Sequence, residues 1–250
     1  MPADFIKNKT EMKLTGLELG CPLTNRAITS LYELGSPSRD LAYILHTEPS
    51  LSRSDGYGLA CQVPLRWHTP EWVFSLIEML IFIAHHLSLP PAVIEIHPGD
   101  KRNSINDIIN AVRLILHRFN YEFAASPLIL LENRTGQFLS SGQELASFAK
   151  LIAKEEDLKS TVGIVLDIQQ LFTSTKSRFS NELNAIPRES IKGLHIHTKH
   201  RTPSISDPIP WKKVFSWVRQ VAGNIIINPE VHHRKQVSET IRFCELMMKD

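Results

Sequence analysis

The sequence predicts an α/β protein folded as a (β/α)8 TIM barrel, with degenerate N-terminal units. Three observations lead there. Eight short apolar runs alternate with longer helical patterns. The polar residues closing the last five runs recur at nearly one interval. The length, 250 residues, is that of one such barrel. A single domain over 1–250 is therefore expected, with 1–13 as a flexible extension.

The elements follow in order. Leu14-Thr-Gly-Leu-Glu-Leu19 reads as the first strand and Thr24 to Leu34 as the helix after it. Leu41-Ala-Tyr-Ile-Leu-His46 and Gly58-Leu-Ala-Cys-Gln-Val63 are the second and third strands. Thr47 to Tyr57 between them is too short and polar for a full helix. Trp72 to Leu87 is the third helical pattern. Five runs then close on polar residues: Pro91 to His97, Pro127 to Glu132, Val162 to Asp167, Ile191 to His197 and Asn224 to Glu230. Each is short and rich in Val, Ile and Leu, as parallel strands buried on both faces are.

Helical patterns separate them. Asn103-Ser-Ile-Asn opens one whose Ile105, Ile108, Ile109, Val112, Ile115 and Leu116 share a face. Ser141 and Glu144 form a capping box before Leu145, Phe148, Ala149 and Ile152. The Ser- and Thr-rich segment after Asp167 reads as mostly loop with a short helix. Asp207-Pro-Ile-Pro-Trp211 leads into a helix ended by Gly223, and the last helix spans about Lys235 to Met248.

Composition bounds the function. There are 28 Lys and Arg against 26 Asp and Glu, net +2, with 42% hydrophobic residues. That excludes a disordered chain and gives no broad basic footprint for nucleic acid. Three separated cysteines exclude a disulfide scaffold and suit a reducing compartment, so a cytoplasmic location is expected. Met1 to Lys13 has no apolar core of a secretory signal. The longest apolar run, Trp72 to Leu89, holds Glu78, His85 and His86, so it reads as a buried helix rather than a membrane span. There is no P-loop, dinucleotide glycine fingerprint or Ser-His-Asp signature.

The chemistry gathers at strand ends. His97, Glu132, Asp167, His195 or His197, and Glu230 are separated by 35, 35, 28 and 35 residues, counting to His195. In a barrel they occupy one height around the C-terminal mouth, where barrel active sites sit. Two Glu, one Asp and one or two His repel one another without a cation, and a divalent metal resolves that. Trp67 and His68 offer a wall for substrate; Trp211 and Trp217 fall on a packing face. His85 and His86 suit a helix C-terminus, while His232, His233, Arg234 and Lys235 either meet an anion or open the last helix.

These residues resemble the xylose isomerase-like barrels, which include sugar isomerases and epimerases and the endonuclease IV type of abasic-site nuclease (AP endonuclease family 2). The motifs are Ile96-His-Pro-Gly99, Leu131-Glu-Asn-Arg-Thr-Gly-Gln137, Val165-Leu-Asp167, Gly193-Leu-His-Ile-His197 and Pro229-Glu230, covering roughly 92–231. The Glu-Asn-x-x-Gly-Gln stretch is the most specific, and it is nearest to endonuclease IV. The resemblance implies a metal, Zn2+ or Mn2+ foremost and Mg2+ next, held by Glu132, Asp167, His195 and Glu230. Gly-Leu-His favours His195; His-Ile-His-Thr also resembles epimerases that use the second His, here His197.

A second metal would be bridged by Glu132 and held by His97 and a third-strand His, where this chain has Gln62. A third would need a His where Gln170 stands, and an Asp-x-His where Asp207-Pro-Ile209 stands. The resemblance therefore implies first an endonuclease IV-like enzyme with an incomplete metal cluster, acting on an abasic-site phosphodiester or related phosphate. The alternatives are a one-metal sugar or sugar-phosphate epimerase or isomerase, and a barrel that binds without turnover. Glu132 and Glu230 are the expected proton-transfer groups. Arg134, Gln62, Gln170, Lys199 and Arg201 are the expected substrate contacts, with His200 beside them. The partner is a small phosphate or sugar, or damaged DNA; no membrane is implied, and the oligomeric state is open.

Overall fold

The protein is described by a computed structural model that covers residues 11–15, 42–52, 60–62, 65–221 and 223–249. The Thr24 to Leu34 helix and the Gly58 and Val63 ends of the third strand lie outside them. The chain falls into two compact units, Met1–Ile129 with Ser160–Val162 and Leu130–Lys159 with Gly163–Asp250. Among the described residues, strands and helices alternate in an α/β fold.

In the first unit, β1 (Glu11–Thr15), β2 (Ile44–Ser52) and β4 (Val93–Ile96) are parallel, with Lys13 opposite His46 and His46 opposite Glu95. The first strand thus starts three residues before Leu14. Strand β3 (Ala60–Gln62) runs antiparallel to the end of β2, with Gln62 opposite Ser50. This corrects the expected parallel repeat. A parallel crossover needs a dozen or more residues, and only seven separate Ser52 from Ala60, which suits an antiparallel pair and not a parallel one.

Helix α1 (Pro70–Leu87) starts on a proline, whose missing N–H costs nothing there, and ends on Ser88 in a left-handed conformation, φ 54°. It is long and apolar enough to cross a membrane by length and composition. Its Leu76, Leu80, Ile83 and Ala84 are nevertheless almost completely buried within the protein, as a core helix requires. Helix α2 (Ile105–Phe123) carries a capping box between Ser104 and Asp107. It buries Ile108, Val112, Ile115 and Phe119. Arg118 of α2 bridges Glu78 of α1 and Glu122, and His85 reaches Glu122 as well.

Strand β5 (Leu128–Glu132) begins in this unit, where Leu128 N–H donates to Ala92 O at 3.0 Å. Its end lies in the second unit, with β6 (Val162–Asp167), β7 (Ile191–His195) and β8 (Ile226–Asn228). Strands β6, β7 and β8 are parallel, with Asp167 opposite His195 and His195 opposite Asn228.

Helix α3 (Gly142–Ile152) has the expected Ser141–Glu144 capping box. The segment after Asp167 is not mostly loop. It forms α4 (Ile168–Thr175) and α5 (Phe179–Ala185), joined by one 3-10 turn. Their apolar positions are too few for a periodic signal, but Leu171, Phe179 and Leu183 are all buried, and burial stabilises both helices. Gly142 permits α3 to approach α5. A Cβ there would lie 1.9 Å from Glu182 O. Helices α6 (Trp211–Val218) and α7 (Arg234–Lys249) follow, and Trp211 and Trp217 pack in the core as expected.

Candidate metal centre

Glu132, Asp167 and His195 are the last residues of β5, β6 and β7. Glu230 lies two residues past Asn228, on the same face by alternation. Their exposures are 0%, 0%, 0% and 4%. One ligand atom from each lies within 4.8 Å of those of the others. His195 Nδ1 is 3.4 Å from Glu230 Oε2 and 3.8 Å from Glu132 Oε2. Three carboxylates and an imidazole removed from water form a strongly unfavourable group unless a cation balances them. Oxygen and imidazole donors are what Zn2+ and Mn2+ accept, so the residues fit a metal. Arg134, also buried, brings Nη1 to 3.6 Å from Glu132 Oε1.

The strand ends are fixed by local bonds. Asn133 is fully buried and brackets the Asp167 backbone: its Nδ2 donates to Asp167 O at 3.0 Å, and its Oδ1 accepts from Asp167 N–H at 2.8 Å. Asp167 divides its carboxylate. Oδ1 caps α4 by accepting from Gln170 N–H at 2.8 Å, and Oδ2 faces the centre. Gln170 is itself engaged, since its Oε1 accepts from Thr135 N–H at 3.1 Å. Asp207 is engaged too, accepting from Thr198 Oγ1 and Ser204 N–H at 2.7 Å each. Lys199 and Arg201 are exposed on the tight turn after β7.

His197 Nε2 lies 3.2 Å from Asp167 Oδ2 and 3.3 Å from Glu230 Oε2. Burial opposes a charge on this ring, but the bonds to both carboxylates outweigh it and raise its pKa to about 9. In the metal-free chain the sign of the pH dependence follows. The stabilisation is fully present below the unfolded pKa near 6.5 and is lost as pH rises through about 9. It amounts to at most about 3 kcal/mol. Urea unfolding of chelator-treated protein between pH 6 and 10 is expected to show this fall, and Zn2+ is expected to flatten it. A flat profile without metal would contradict it. The His200 ring stacks on His197 (centroids 4.6 Å, 6°), and His232 stacks on His200 (4.6 Å, 9°).

In the first unit the structure supplies an imidazole that the sequence reading missed. His46, the last residue of the second apolar run, is fully buried, and its Nε2 is 2.9 Å from His97 Nε2. Without a cation between them, one ring donates to the other, and the tautomers set which. The usable signal in the sequence is that His46 closes its apolar run as His97 does. His97 is held by its loop. Trp67 Nε1 donates to His97 O at 2.9 Å, which makes Trp67 a buried support rather than a substrate wall. Gly99, at φ 75°, lets Leu65 O approach where a Cβ would sit 2.2 Å away.

No protein-family model and no curated protein sequence matches the chain. Solved structures do. An L-ribulose 3-epimerase matches with TM-score 0.60 at 11% identity, over 96% of this chain and 84% of its own. An AP endonuclease of family 2 from Brucella melitensis matches with TM-score 0.53 at 10% identity, over 98% and 91%. A xylose isomerase-like TIM barrel protein from Mycobacterium smegmatis, in complex with magnesium, matches with TM-score 0.52 at 11% identity, over 97% and 84%. The likeness, at so low an identity, is one of fold: the structures this chain resembles are xylose isomerase-like TIM barrel proteins, sugar epimerases and AP endonucleases of family 2 among them.

Proposed function

We propose that the chain is one (β/α)8 domain and a divalent-metal enzyme, acting as a sugar or sugar-phosphate epimerase or isomerase. The observation that supports this most is one complete four-residue donor set, while Gln170 and Asp207, at the positions a third metal would use, are engaged elsewhere. Glu132, Asp167, His195 and Glu230 would hold the metal. When bound, it supplies Lewis-acid polarisation of a carbonyl beside the carbon that loses its proton. Glu132 and Glu230 both approach His195 Nδ1, so two carboxylates serve one point. One carboxylate takes the proton from carbon and the other returns one, which inverts the centre. Burial excludes water that would quench the carbanion. Arg134, Lys199 and Arg201 are the cations for a substrate phosphate.

The His46–His97 pair favours a second reading, an AP endonuclease-like phosphodiesterase, because two imidazoles are what a further metal takes. The two are separated by one set of measurements. Protein purified without chelator is expected to hold one metal, and ketoses or ketose phosphates incubated with it in heavy water are expected to gain deuterium at carbon. Two metals per chain, an abasic duplex cut and no deuterium gained would overturn the epimerase reading.

A further inference from the structure

We infer that His197 is not a ligand of this centre but its positioning residue, a hydrogen donor to Asp167 and Glu230 locked in one tautomer by the backbone of its own loop. The inference rests on the metal reading above and decides between the two histidines that alternation places on one face.

With a cation balancing Asp167 and Glu230, or above the raised pKa in metal-free protein, the His197 imidazole is neutral and has one N–H and one lone pair. His200 N–H donates to His197 Nδ1 at 3.0 Å, which commits the lone pair to Nδ1. The proton then stands on Nε2, directed at Asp167 Oδ2 (3.2 Å) and Glu230 Oε2 (3.3 Å). A ring nitrogen that carries hydrogen cannot ligate a metal. His195 Nδ1 lies among the Glu132 and Glu230 oxygens, within the four-residue donor set.

The lock is built into the chain. Lys199 and His200 are both left-handed, at φ 50° and 55°, a conformation non-glycine residues adopt only when their surroundings impose it. Thr198 N–H to Arg201 O (2.9 Å) and Arg201 N–H to Thr198 O (3.0 Å) close this turn. Asp207 anchors it through Thr198 Oγ1. The stacked His200 ring covers one face of His197, and its Nδ1 lies 3.3 Å from Glu230 O. Oriented hydrogen bonds to ligating carboxylates tune affinity as strongly as many ligands do.

Two replacements separate donor from ligand. His197→Gln keeps an N–H near the Nε2 position; His197→Asn keeps only the acceptor near Nδ1. Zn2+ titration against a chromophoric chelator is expected to show one ion in each protein. Affinity should stay close to the parent for Gln and fall roughly 10–100-fold for Asn. His200→Ala, which keeps the backbone N–H, should resemble the parent. Nitrogen NMR of the Zn2+-loaded protein should show His197 protonated on Nε2 and His195 metal-bound. Equal losses for Gln and Asn, or Zn2+ on His197 Nε2, would overturn the inference. If no Zn2+ is retained, the metal centre itself fails. The tautomer of metal-free protein at alkaline pH then still decides on the lock: Nε2–H supports it and Nδ1–H overturns it.

Discussion

Glu132→Gln is expected to weaken Zn2+ binding by more than about 100-fold, beyond what loss of a supporting residue produces. The substitution keeps shape and removes one of three buried carboxylates. Its effect on stability should depend on the metal. Without metal, one less buried charge relieves repulsion, so the midpoint of unfolding should hold or rise. With Zn2+ at 100 times the parent dissociation constant, the parent gains about 2.7 kcal/mol. A variant binding 100-fold more weakly gains only about 0.4 kcal/mol. Metal analysis together with thermal unfolding, with and without chelator, checks both signs. Unchanged metal content in the variant would remove Glu132 from the centre.

Asn133→Ala should cost about 3 kcal/mol. Two hydrogen bonds to the Asp167 backbone disappear, and both backbone groups lie where water cannot replace the amide. Each unmet buried group costs about 1–3 kcal/mol. Asn133→Asp should be no better. It keeps an acceptor for Asp167 N–H but sets a carboxylate against Asp167 O, and an uncompensated buried charge costs about 3–5 kcal/mol. Urea unfolding would read both as lower midpoints with unchanged slope. Zn2+ affinity should also fall, because Asp167 presents its Oδ2 from a strand end that Asn133 holds. A loss below about 1 kcal/mol would show that water or a shifted β6 end replaces these bonds.

Several features were legible in the sequence because they depend on local order. Strand-end positions repeat at a βα interval, so Glu132, Asp167 and His195 could be named before any fold was known. Ser141 and Glu144 signal a helix start through groups three residues apart. Alternation put His195 and His197 on one face, but it could not choose between them. That choice depends on where His200 N–H points, which the turn through Thr198 and Arg201 decides. The helices after Asp167 were illegible because their few apolar residues gain their value from burial, not from period.

By itself, then, the sequence determined the α/β alternation and the residues that end β5 and β6, Glu132 and Asp167, since both follow from periods of two and 3.6 along the chain. Tertiary structure decided the rest. It turned β3 back against β2, brought His46 to His97 across 51 residues, and bonded Gln170 to Thr135 and Asp207 to Thr198 rather than leaving them for a metal. Hydrogen bonds between distant segments are set by distance and direction in space, and no spacing along the chain encodes those.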